Sequence, residues 1–163
     1  MIAEHPRLCQ CGGLIRASGQ IRIQVHDAAS GRLTREIRTH NLMVSTGLAF
    51  MIDRAKGDTF NIANFFAVGT GANPPAASDT LLISEVFRAQ IATSRRIGSN
   101  QWEVKGFVAS GQANGYSLQE FGIFAVFDPN TGPMLVRLIH SPINKNTSST
   151  VTYIWTGTFT AAA

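Results

Sequence analysis

Charge is scarce in this chain: Asp, Glu, Lys and Arg make up 15% of its 163 residues, against roughly 25% in typical soluble domains. A surface so thinly charged, and rich in Thr, Ser, Asn and Gly, suits a β protein whose neighbours cover part of it. Covered surface implies assembly. The net charge of +4 is modest, and Arg32, Arg35, Arg38, Arg95 and Arg96 read as ordinary solvated strand or turn residues. Cysteine is almost absent. Cys9 and Cys11 stand in Cys-Gln-Cys-Gly-Gly with only His5 nearby, too few ligands for a four-coordinate zinc site. Two residues apart, they would also form a strained bridge. They read as free thiols on an arm or, in an oligomer, as an inter-subunit disulfide or shared metal.

Long apolar runs are missing too, so no membrane span is expected. The start, Met1-Ile-Ala-Glu-His-Pro-Arg, lacks the apolar core of a secretion signal, which points to synthesis in a cytoplasm. Catalytic and cofactor signatures are equally thin. Val68-Gly69-Thr70-Gly71 lacks the third glycine of a dinucleotide turn, and Pro74 and Pro75 block the helix that turn requires. It reads as a structural loop, and no cofactor is expected. His5, His26, His40 and His140 are scattered outside any metal or nucleophile motif. No basic stripe with stacking aromatics marks a nucleic-acid surface.

What the chain does have is strand pattern. In Thr150–Thr160, Val151, Tyr153, Trp155 and Phe159 alternate with Thr150, Thr152, Thr156, Thr158 and Thr160. Alternation places an aromatic face on a core and a hydroxyl face on solvent or a partner. Ile154 is the apolar exception on the Thr face, and Gly157 interrupts the apolar one.

Residues 1–18 lack a period and read as an N-terminal arm ordered by a partner. Residues 19–163 read as one domain, opened by a peripheral hairpin over 19–40 with Ile21, Ile23, Val25, Leu33 and Ile37 inward. Ser45 or Thr46 can cap a helix running to about Ala55, with Lys56 and Gly57 as its stop. Ser78-Asp79 can cap a short helical turn through Leu82. From Glu85 onward the chain reads as β, and Leu118–Phe127, apolar on both faces, reads as the most buried strand. About eight strands and one short helix fit a mainly β fold, an antiparallel β-sandwich with an extended N-terminal arm.

Glu85, Glu103 and Glu120 are the strand carboxylates that a glycan-cleaving pair would need. Glu120, set before Phe121-Gly122-Ile123-Phe124, needs a partner if buried. Arg88 and Arg137 are the candidates, giving a structural ion-pair network of Arg88, Glu120 and Arg137.

Four stretches follow one another along the chain: Asn41-Leu42-Met43-Val44-Ser45-Thr46-Gly47-Leu48; Phe66–Gly71 with Ala77–Leu82 and Glu85–Arg88; Glu120–Phe124; and Gly132–Arg137 with Ile143-Asn144-Lys145 and the Thr-rich strand. In this order they resemble small structural proteins of tailed bacteriophages, found as tail-fibre, collar or head-associated virion components. The resemblance covers roughly residues 41 to 160. It implies a non-enzymatic homo-oligomer that docks on other virion proteins of the tail, portal or neck, or capsid; from the residues themselves no nucleic-acid or membrane partner is expected. Within that group the expected place is the tail, collar or fibre-attachment apparatus, with capsid decoration or a head fibre as the rival position. A carbohydrate-binding module for host recognition is the rival of another class. It would expose Trp102 and Trp155 as an aromatic platform, whereas a scaffold would bury both.

Overall fold

The computed structural model describes residues 14–57, 62–129 and 132–162. Two antiparallel five-stranded sheets pack face to face as a β-sandwich. The first sheet is built from β1 (Leu14–Asp27), β2 (Leu33–His40), β6 (Thr93–Arg96), β7 (Gln101–Val108) and β10 (Ser149–Ala162). Its order is β2-β1-β10-β7-β6. The second contains β3 (Leu42–Met43), β4 (Phe65–Gly69), β5 (Glu85–Gln90), β8 (Ser117–Phe124) and β9 (Met134–Asn144), in the order β3-β9-β8-β4-β5. One helix, α1 (Ser45–Lys56), follows β3.

The core lies between the sheets and follows the alternation. Ile21, Ile23, Val104, Val151, Tyr153 and Trp155 from the first sheet meet Phe66, Val68, Phe121, Ile123, Val136 and Leu138 from the second. Phe121 and Tyr153 stack across the gap with centroids 5.0 Å apart. Gly106 has its own reason: a Cβ there would lie 2.6 Å from the Phe66 ring. Strand β8 sits in the middle of its sheet with both faces covered, and Trp155 is 1% exposed.

Several expectations need correction. The arm does not extend to residue 18, because Leu14–Ser18 already pair with Thr158–Ala162 in β1 and β10. Residues 1–13, with Cys9 and Cys11, lie outside the described residues. The 19–40 hairpin forms, but only β2 is an edge, and β1 runs between β2 and β10. A register shift near Val25 and His26 sets Leu33 opposite His26. That shift turns Leu33 outward, 46% exposed. The two-residue β3 and four-residue β6 raise the strand count above eight, being too short for alternation to reveal. Residues 78–82 form no helix; the Asp79 N–H closes a turn on the Ala76 carbonyl at 3.0 Å.

Helix α1 begins as the spacing suggests but caps differently. Val44 is the N-cap and makes no side-chain cap bond. The Thr46 hydroxyl instead donates to the Met134 carbonyl at 2.7 Å. Gly57 ends the helix in the left-handed region at φ 91. Docking through Thr46 and the close approach of Gly47 to Leu135 leaves Leu48 and Ile52 outside, at 48% and 62% exposure.

His140 is buried in β9. Its Nδ1–H donates to the Ser141 carbonyl at 2.9 Å, leaving Nε2 to accept from the Tyr153 hydroxyl at 3.4 Å. Burial, assisted by the nearby charge of Arg35 and opposed by the Ser141 bond, holds the ring down to about 4 from its ordinary 6.5. A base depressed in the folded state is protonated more readily in the unfolded chain. Its contribution to stability is therefore complete above about pH 6.5 and lost as pH falls through about 4. The loss amounts to about 3 kcal/mol. Denaturant titrations from neutral pH down to pH 4 should show this decline. In His140→Gln, which keeps an acceptor for Tyr153, the slope should flatten; an unchanged slope would place the titration elsewhere.

Candidate functional site

Glu120 lies on the outer face of the second sheet with 0% exposure. Its carboxylate is fully engaged. Oε1 accepts from the backbone N–H groups of Gly71 at 3.1 Å and Ser84 at 2.7 Å, and Oε2 accepts from Ile83 at 3.0 Å. Arg137, on the neighbouring strand β9, donates to Oε2 through Nε at 3.3 Å and Nη2 at 3.1 Å. The same guanidinium reaches Asp79 Oδ2 at 2.8 Å and the Asn73 carbonyl at 3.1 Å.

These bonds fasten residues 70–84 over the outer face as a strap. Leu82 of the strap joins Val44, Ala67, Phe124 and Met134 in a second apolar cluster. Gly69 and Gly71 acquire a purpose here, since a Cβ on Gly71 would stand 2.6 Å from Glu120 Oε1. The Gly-Thr-Gly segment thus contributes one backbone donor, Gly71, to the chain's own carboxylate, and Ile83 and Ser84 supply the others.

Arg88 does not join this network, contrary to the expected grouping. Its guanidinium takes Glu85 in a two-pronged pair at 2.8 and 2.7 Å, and donates to the carbonyls of Val126 and Asp128, each at 3.0 Å. It also lies 3.7 Å over the Phe124 ring. Glu85, three residues away on the same strand, is a nearer partner than Glu120 two strands across. Asp79, read from sequence as a cap, is the acid that completes the Arg137 arrangement. Its signal was an acidic residue in the loop after Gly-x-Gly, but nothing local tied it to Arg137.

The three strand carboxylates do not converge. Glu85 and Glu120 flank Gly69 in the pairing register, each held by its own arginine. Glu103 stands on the other sheet, with Arg95 at 2.7 Å and Lys105 at 3.6 Å from Oε1. Lys145, also buried, donates to the Ser110 carbonyl, Asn114 Oδ1 and the Asn146 carbonyl at 2.8 to 3.2 Å. Burial lowers its pKa. Among the described residues no cluster of His, Cys, Asp or Glu could hold a metal. None of their helices is long and apolar enough to cross a membrane.

Trp155 is core, and its indole N–H is bound to Asn41 Oδ1 at 2.9 Å. Trp102 is half-buried, edge-on to Trp155 at 5.2 Å, with its N–H on Ser94 Oγ at 2.9 Å. The two therefore form no shared exposed platform, although Trp102 and Phe159 line a shallow hollow.

Among the described residues the outer face of the first sheet has no comparable strap. Pairing registers bring His40, Gln20, Thr156 and Glu103 into one row, and Arg38, Arg22, Ile154 and Lys105 into the next. Between these rows lies a groove of about 370 Å³. No family model, curated protein or solved structure matches this chain.

Removing one partner of a buried ion pair strands the other charge, so Glu120→Ala should destabilise the fold by about 3–5 kcal/mol. Asp79→Ala should cost less, because its side chain remains 18% exposed. Chemical denaturation measures the order, and limited proteolysis within residues 70–84 should accelerate most in Glu120→Ala. Equal resistance of that segment in both variants and the parent would remove the strap's dependence on Glu120.

Proposed function

We propose that this protein is a non-enzymatic structural component of a tailed-phage virion, an oligomer of the tail, collar or fibre-attachment apparatus. The observation that carries this is where the resembling stretches fall. Asn41–Leu48 supplies β3 and the docking turn of α1; Phe66–Gly71, Ala77–Leu82 and Glu85–Arg88 supply β4, the strap and β5. Glu120–Phe124 and Gly132–Arg137 supply β8 and the start of β9. Separate in sequence, most of them gather in one unit, the second sheet with its strap and the Glu120–Arg137 pair, while the Thr-rich strand is β10 of the first sheet.

Two further features support assembly. Charge is sparse, and the exposed Leu48 and Ile52 lie one turn apart on α1, where they can be buried against a neighbour. The strongly perturbed ionisable groups, His140 and Tyr153, are bonded to each other inside the core rather than facing a cleft.

Native mass spectrometry of the purified chain should give a closed oligomer, and Leu48→Glu with Ile52→Glu should shift it toward monomer while preserving the fold. Mass spectrometry of purified particles from an infection that expresses the chain should find it in fixed stoichiometry. A few copies per particle fit a collar or fibre adaptor, and many copies would move it to capsid decoration. A monomeric chain that is absent from the particles would overturn the proposal.

A further inference from the structure

We infer that the groove on the outer face of the first sheet binds a carboxylated sugar, a uronic acid unit of an acidic polysaccharide. Its floor is Ile154, an apolar side chain only 7% exposed in an otherwise polar row. Around it stand Gln20, Arg22, Glu103 and Thr156. A flat aliphatic floor edged by amide, hydroxyl and carboxylate groups suits a ring with one C–H face and several hydroxyls.

Charge complementarity fixes the class of sugar. Arg38 is taken by Glu36 at 2.8 Å. Arg22, by contrast, is exposed and has no hydrogen bond or salt bridge among the described residues; the charge it senses is Glu36, whose carboxylate Gln24 and Arg38 already engage. An open guanidinium matches a carboxylate in two-pronged geometry. The opposite wall is acidic. The contacts of Arg95 and Lys105 with Glu103 all fall on Oε1, leaving Oε2 to accept a sugar hydroxyl. A phosphate monoester, close to doubly charged at neutral pH, would bring a second negative charge against Glu103. A monoanion that also carries hydroxyls satisfies both walls at once.

The groove runs across strands from β2 through β1 and β10 to β7, since Gln20 pairs with both His40 and Thr156, and Thr156 with Glu103. It can therefore admit a chain crossing the sheet. The site is independent of the assembly proposal. A chain that enters particles yet ignores sugars, or binds sugars yet enters none, separates the two.

Isothermal titration of the full chain with trigalacturonate tests the inference. Its fully methyl-esterified form keeps the hydroxyls and removes the charge. The acid should bind, and the ester should bind at least about tenfold more weakly. Arg22→Gln should lose a similar factor, whereas Arg16→Gln, on the same face but outside the groove, should not. Failure of trigalacturonate to bind, or equal binding by its ester, overturns the inference without any variant. Undiminished binding by a folded Arg22→Gln does so as well. Equally tight binding of inorganic phosphate or hexaglutamate would replace it with a general anion site or an acidic-peptide site.

Discussion

The buried Glu120–Arg137 pair constrains more of this molecule than any other contact. Two charges removed from water are costly, and their attraction offsets that cost only when the remaining donors and acceptors are satisfied. One sheet cannot supply those bonds. They come from the backbone of residues 71, 83 and 84 and from Asp79, so the path of the strap is dictated by the pair beneath it. Glycine at 69 and 71 is part of the same constraint, because side chains there would occupy the space of the carboxylate or of the Ser84 carbonyl. No buried side-chain nitrogen or oxygen among the described residues lacks a partner, which is the condition for such a network to be tolerated.

From this follows the asymmetry of the sandwich. The second sheet is covered on both faces, by the core on one side and by the strap and the first turn of α1 on the other. Its strands need not alternate, and β8 accordingly runs Phe121-Gly122-Ile123-Phe124 without a polar break after its one acid. Among the described residues the first sheet has core on one face only. Its strands alternate, Ile154 excepted, and the Thr row of β10 is the outcome. The two sequence patterns, double-faced and alternating, therefore distinguish the two sheets.

That link explains what was legible. Alternation in Thr150–Thr160 is sufficient to place Val151, Tyr153 and Trp155 in the core, where they lie. The acid inside Leu118–Phe127 is sufficient to demand a cation, and Arg137 meets it. Choosing between Arg88 and Arg137 required the strand order, which no local pattern contains. Leu33 was misplaced because a register shift two residues from the turn is invisible to a strict period of two. Helix α1 illustrates a different limit. Leu48 and Ile52 have core spacing, yet the face that docks is chosen by the smallest residue, Gly47, which allows the helix to approach Leu135. Periodicity identifies an apolar face, but not whether this chain or another covers it.

The open faces divide in the same way. On α1 the uncovered residues Leu48 and Ile52 are apolar and one turn apart, the chemistry that the proposed assembly would use. The outer face of the first sheet offers amides, hydroxyls, an unpaired arginine and a single apolar floor residue. Such a face gains little from burial alone, because its polar groups exchange water for a partner at nearly equal energy. It gains from a ligand that presents matched donors and acceptors. Assembly through the helix side and recognition through the Thr side are therefore compatible in one chain, and the strap is what keeps them apart. By sealing the second sheet with the chain's own residues, it leaves each exposed surface with a distinct chemistry.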